Sequence, residues 1–139
     1  MMTDKILRHS LSEMQGALFE MSGAEGYDSE TFIRVFMHSK IAEGLDSDFD
    51  YTQWAGKEYV MERMKEEYPE GFSKHGIVFD SETLYWAGYL YRYWHFYTGE
   101  SSKEIYKQAD AQTVNAMYYG YHTLDIEMAI DRLKEAKKK

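Results

Sequence analysis

The sequence predicts an all-α fold: a compact, irregular bundle of about six helices around one central aromatic helix, residues 81–98. Three observations predict it. Apolar residues recur three and four positions apart through most of the chain, the spacing of a helix face rather than of a strand. One proline stands among 139 residues, so few positions forbid helix propagation. Asp or Ser recurs just ahead of the periodic stretches, where a side-chain oxygen accepts from the orphan N–H groups of a helix start. The length is that of a single domain, 1–139, which buries roughly two thirds of the surface its unfolded chain exposes.

Leu7, Leu11, Met14, Leu18 and Met21 form the first stripe, with Thr3 or Asp4 as cap and "SGAEG" (22–26) as terminator. Asp28 or Ser29 starts the second helix, whose period runs through Ile33, Phe36, Met37 and Ile41 and fades near Gly44. The polar loop "LDSDFDYTQ" follows, its last Asp placed to cap the third helix. That helix carries Trp54, Met61, Met64 and Tyr68 on one face and Glu58, Glu62 and Glu66 on another, and Pro69 and Gly71 stop it. The run "FSKHGIVFD" (72–80) is strand-like but has no partner strand, so it reads as a packed connection. Phe79 and Leu84 fit a hydrophobic staple around an Asp80 cap. The central helix then ends at Gly99. Ser101 and Glu104 form a capping box for a short helix, Asp110 caps another through Tyr121, and the last runs from about Leu124 with Ile126, Ala129, Ile130 and Leu133 inward. Asp125 and Glu127 at its start and Lys137–Lys139 at its end both suit the helix dipole.

"WAGKEY" (54–59) and "WAGYLY" (86–91) echo one another, though their flanks do not repeat. A glycine inside a helix costs about 1 kcal/mol against alanine. Gly56 and Gly88 therefore mark either two close helix approaches or two helix starts.

"YWAGYLYRYWHFYTGE" (85–100) is apolar or aromatic on every face of a helical wheel. Tyr85, Tyr89, Arg92 and Phe96 share one face; Leu84, Gly88, Tyr91 and His95 a second; Trp86, Leu90, Tyr93 and Tyr97 a third. A helix of this kind is enclosed by its neighbours, so truncating Trp86 or Tyr93 is expected to cost about 3–5 kcal/mol. Arg92 and His95 do not fit a plain core. A buried arginine needs a partner, and three readings follow: a structural Arg–carboxylate pair, an Arg/His/Tyr-lined pocket for an anionic small molecule, or a protein interface anchored by Tyr, Trp and Arg. The candidate ligand- or partner-binding residues are Tyr89, Arg92, Tyr93, His95 and Tyr97.

Composition narrows the function. With 24 acidic against 16 basic residues the net charge is −8, which repels a phosphate backbone and suits a basic protein partner. The absence of cysteine, the polar start "MMTDKILRHSLSEM" and the lack of any run near ~20 apolar residues point to a cytoplasmic chain without a membrane partner. Asp46, Asp48 and Asp50 begin like a calcium loop, but Tyr51 and Lys57 stand where glycine and glutamate are required. No histidine pair has zinc-helix spacing, and no Glu-x-x-His accompanies the glutamate row. Neither G-x-S-x-G nor the arginine-to-histidine spacing of helical HEPN-type nucleases occurs. The capping box accounts for the serines of "TGESSKE". No catalytic residue, metal or cofactor is assigned.

At "YRYWHFYTGESSKEIYKQAD", "YHTLDIEMAIDRLKE" and "FIRVFMHSKIAEGLDSDFDYTQWAGKEY" the chain resembles an uncharacterised family of small acidic helical proteins from Firmicutes. The resemblance covers most of the chain and carries no catalytic residue. Such proteins accompany toxin–antitoxin-like gene sets, some with an ADP-ribosyltransferase-like partner, so the resemblance implies an antitoxin or accessory binder. The expected function is a non-catalytic cytoplasmic protein-binding domain, compatible with a homo-oligomer. The alternative is a small-molecule binder or enzyme using Arg92, His95 and nearby tyrosines in a pocket between helices.

Overall fold

The computed structural model describes residues 4–47 and 56–138. Among them are eight helices and no strand: α1 (Asp4–Ala24), α2 (Ser29–Met37), α3 (Lys40–Leu45), α4 (Lys57–Glu67), α5 (Ser81–Thr98), α6 (Ser102–Gln108), α7 (Ala111–Tyr121) and α8 (Ile126–Lys138). The all-α class and the central aromatic helix are as the sequence predicts, and the helix count is higher than six. One cause is Ser39. Its hydroxyl donates to the Phe36 carbonyl at 2.7 Å and accepts the Ala42 N–H at 3.0 Å. One side chain thus ends α2 and caps α3, splitting the periodic stretch that reads as a single helix.

The other starts follow their caps. Asp28 Oδ2 accepts the Thr31 N–H at 3.0 Å, Asp110 caps α7 through the Thr113 N–H at 2.9 Å, and Ser101 and Glu104 close a reciprocal capping box on α6. Asp80 occupies the N-cap of α5 but makes no side-chain cap bond. The cap expected from Asp50, and Trp54 of the sequence echo, lie outside the described residues.

Residues 72–80 are a packed connection. Asp28 Oδ1 accepts the Ile77 N–H at 2.9 Å, the Ser29 N–H donates to the Ile77 carbonyl at 2.9 Å, and Ser29 Oγ accepts the Phe79 N–H at 2.8 Å. The start of α2 therefore holds the strand-like run in place of a partner strand. Burial pushes the Asp28 carboxyl up, but hydrogen bonds from Thr31 and Ile77 outweigh it and its pKa is lowered.

α1 and α5 form the most extensive helix pair in the fold. They come close at Gly16 and Gly88. A Cβ built on Gly88 would lie 2.4 Å from the Gln15 carbonyl oxygen, and one on Gly16 would lie 2.8 Å from the Tyr85 carbonyl oxygen. Gly56 instead sits at the N-cap of α4, where an added Cβ would meet only the Glu58 side chain, at 3.4 Å among the described residues. The two glycines of the echo thus do different work. Around the α1–α5 pair, Phe19, Phe32 and Phe36 meet at 5.5–6.3 Å, two of the three pairs edge-to-face, the geometry their ring quadrupoles favour. Leu90, Trp94, Ile105, Ile130 and Leu133 extend this core toward α6 and α8.

Candidate functional site

α5 is central, but it is enclosed on one half only. Leu84, Ala87, Leu90, Tyr91, Arg92 and Trp94 are buried, whereas Tyr85, Trp86, Tyr89 and Tyr93 are half-buried and Tyr97 is exposed. This corrects the expectation of a helix covered all round. Tyrosine explains the difference: its ring adds apolar area, while its hydroxyl is satisfied at a water-facing edge. The four open tyrosines, Tyr85, Tyr89, Tyr93 and Tyr97, recur every four positions, so they form one stripe, with Trp86 beside it. Tyr85 stacks on Tyr89 at 6.5 Å and Tyr89 on Tyr93 at 6.1 Å.

The sequence-predicted candidates separate between the two halves. Arg92 lies inside, 1% exposed, and its donors are taken up by the fold. Nε donates to Gln15 at 2.8 Å, Nη1 to Asp46 at 2.6 Å and Nη2 to Ser102 at 3.3 Å. Asp46 also accepts the Ser102 N–H at 2.9 Å. This cluster ties α1, α5, α6 and the end of α3 together. Burial lowers the Arg92 pKa, and the Asp46 carboxylate works against that shift. His95 lies beside the same cluster, its Nδ1 at 2.7 Å from the Glu100 carbonyl and 3.7 Å from Asp46. Of the three readings open in the sequence, Arg92 is in the paired one.

Tyr89, Tyr93 and Tyr97 lie outside, and each hydroxyl has a partner on a neighbouring helix. Tyr89 meets His9 Nδ1 at 2.9 Å, Tyr93 donates to Glu127 at 2.7 Å and Tyr97 to Asp131 at 2.9 Å. The hydrogen bond to Glu127, more than burial, pushes the Tyr93 hydroxyl up to about 12.

The open half of α5 continues into a groove of about 520 Å³. Tyr85 and Tyr89 form one wall, with Trp86 beside them. Tyr118 of α7 and His122 just past its end line the other side, stacked on each other at 4.3 Å, and Leu124 and Ile126 add apolar lining. Trp86 meets Tyr118 edge-to-face at 5.7 Å. Two carboxylates stand on the rim: Glu20 accepts the Ser81 hydroxyl at 2.6 Å, and Glu82 lies 3.4 Å from the Tyr118 hydroxyl. Neither is in an ion pair among the described residues. The groove has the size and the mostly apolar walls of a ligand site. Of the candidate residues only Tyr89 lines it. Sequence reasoning passed over Tyr118, His122, Glu20 and Glu82. The signal available was Tyr118 and His122 at i, i+4 on a helix with few inward apolar positions.

No protein-family model matches this chain, and neither a curated protein nor a solved structure is similar to it. No described helix is long and apolar enough to cross a membrane.

Proposed function

We propose that the protein is a non-catalytic binding domain that docks a basic protein partner on the open, tyrosine-lined half of α5. The observation that carries this reading is the groove between α5 and α7, aromatic on both walls and edged by Glu20 and Glu82. Tyr and Trp anchor protein interfaces because a large rigid ring is buried with few rotamers to freeze. Tyr119, next to the groove wall, is 80% exposed, an unusual position for a ring of that size. The net charge of −8 favours the approach of a cationic partner. On this reading the chain acts in the cytoplasm as the neutralising or accessory partner of a toxin, the role implied by the resemblance noted in the sequence. The alternative anion pocket loses support because Gln15, Asp46 and Ser102 already engage Arg92.

The test compares the parent with a Tyr85→Ser/Tyr118→Ser variant of equal melting temperature, each used as bait in a host lysate. The parent should retain a stoichiometric basic protein that the variant does not. Equal retention by both baits, or no specific retention by the parent, overturns the reading.

A further inference from the structure

Four aromatic rings elsewhere in the molecule already carry one of the chain's own cations. Arg8 lies over Phe96 at 5.7 Å, Arg63 over Tyr59 at 5.9 Å, Lys74 over Tyr27 at 5.4 Å and Lys134 over Trp94 at 5.8 Å. Among the described residues no such cation lies over Tyr85, Trp86, Tyr89 or Tyr118, and no Lys or Arg lines their groove. These rings line one groove together with Glu20 and Glu82, two carboxylates outside any ion pair among the described residues. Ring faces are electron-rich and attract a cation, more strongly as it sheds water.

We propose that the groove seats an arginine side chain from a basic segment of the partner, its guanidinium against Trp86 and Tyr118 and its N–H groups toward Glu20 and Glu82. The inference rests on the protein-binding reading above and names the chemistry of that partner. Arginine fits better than lysine for two reasons. Its planar, weakly hydrated head stacks on aromatic faces, and its donor fork matches a carboxylate. An anion is disfavoured by Glu20 and Glu82. A purely apolar side chain would strip water from both carboxylates and return no hydrogen bond.

The experiment titrates the ¹⁵N-labelled full chain with three acetylated, amidated peptides that differ only at one central residue: arginine, lysine or the neutral isostere citrulline. The expected result is saturable movement of the Trp86 indole N–H and of the amides around Tyr118 with the arginine peptide. Citrulline should bind at least about tenfold more weakly, a factor equivalent to one lost charged contact. Glu20→Gln/Glu82→Gln should weaken the arginine peptide by a similar factor without moving the melting temperature. Where that double variant fails to fold, the arginine-against-citrulline ratio in the parent still decides. Equal binding of citrulline and arginine, or shifts confined to other surfaces, overturns the arginine site. So does a groove that responds to spermidine and not to the peptide. In each of these cases the broader reading stands or falls separately, on whether lysate capture still depends on Tyr85 and Tyr118.

Discussion

Both halves of α5 carry Tyr and Trp, and the two sets of rings reach opposite ends. On the inner half, Tyr91 and Trp94 are buried against α1, α6 and α8, and Arg92 joins three elements through fixed partners. On the outer half, Tyr85, Tyr89 and Tyr93 stack in file beside water and lead into the groove. The inner hydroxyl of Tyr91 donates to the Ala109 carbonyl at 2.7 Å, an internal backbone acceptor. The outer hydroxyls of Tyr93 and Tyr97 donate to surface carboxylates. Aromatic content alone therefore does not place a ring. Where its polar tip finds an acceptor does.

The sharpest way to break this comparison is to remove Arg92. Arg92→Ala deletes a buried cation and leaves Asp46 and Gln15 with unmet hydrogen-bonding capacity, a loss of about 3–5 kcal/mol. Tyr89→Ala, on the open stripe, should cost about 1 kcal/mol, since surface contacts away from the core contribute little. Urea midpoints at unchanged slope measure both. Equal costs would mean that the two halves are not energetically distinct. By the same reasoning Trp86→Ala and Tyr93→Ala should fall below the cost of a full core truncation.

Next in size is the α1–α5 approach. Gly88→Ala places a methyl 2.4 Å from the Gln15 carbonyl oxygen, and both neighbours there are helix backbone. The helices must separate, at about 1–3 kcal/mol. Gly56→Ala, at an N-cap where the new methyl meets only the Glu58 side chain at 3.4 Å, should cost no more than about 0.5–1 kcal/mol, the loss from a poorer capping residue. Thermal melts of the two variants should therefore differ clearly, and coincident melts would refute the close-approach account of Gly88.

These residues also show how much the sequence revealed. Local signals were legible: Asp28, Asp110 and the Ser101–Glu104 box each made the contact that their spacing implies. The central helix was legible from its ends, Asp80 and Gly99. The Arg92 partners were not, because Asp46 and Gln15 lie 46 and 77 positions away; nothing local selects Asp46 among 24 acidic residues, and a neutral glutamine is not an evident partner for a cation. The two-sidedness of α5 was hidden because tyrosine satisfies both a core and a surface pattern. The groove was hidden for a related reason: its second wall comes from α7, and the pairing of α5 with α7 is a tertiary choice.

A third prediction concerns the inner half in acid. Glu100 accepts from Trp94 Nε1 at 3.0 Å and from Lys134 at 2.6 Å, and it also contacts Gln108. Burial pushes its carboxyl up, but the donors from Lys134, Trp94 and Gln108 prevail and bring it down to about 2. A depressed folded-state pKa gives stability that is present above the unfolded value of 4.5 and lost as pH falls toward 2. The parent should lose about 2 kcal/mol over that window through this group, after allowance for solvent screening. Glu100→Gln should flatten the dependence, and denaturant midpoints at stepped pH would show it. An unchanged slope would remove Glu100 from the account.

The smallest effect lies on the outer half, at high pH. Tyr93 donates to Glu127, and that bond raises its folded pKa from 10.0 to about 12. The sign is opposite to that of Glu100. A raised pKa gives stability fully present below 10 and lost as pH climbs through about 12. Tyr93 is half-buried beside water, so the clearest readout is its own ionisation, followed by tyrosinate absorbance with circular dichroism to show that the helices persist. From pH 10 to about 11 the parent and Tyr93→Phe should give nearly the same tyrosinate signal, because a hydroxyl titrating at about 12 is still almost wholly protonated there. Glu127→Gln removes the charged acceptor and should add one ionising tyrosine to that window. If Glu127→Gln leaves the titration unchanged, the stripe is not tied to α8 through this pair. The open face would then be held to α8 by the Tyr97–Asp131 bond, and along α5 by the stacking of Tyr85, Tyr89 and Tyr93.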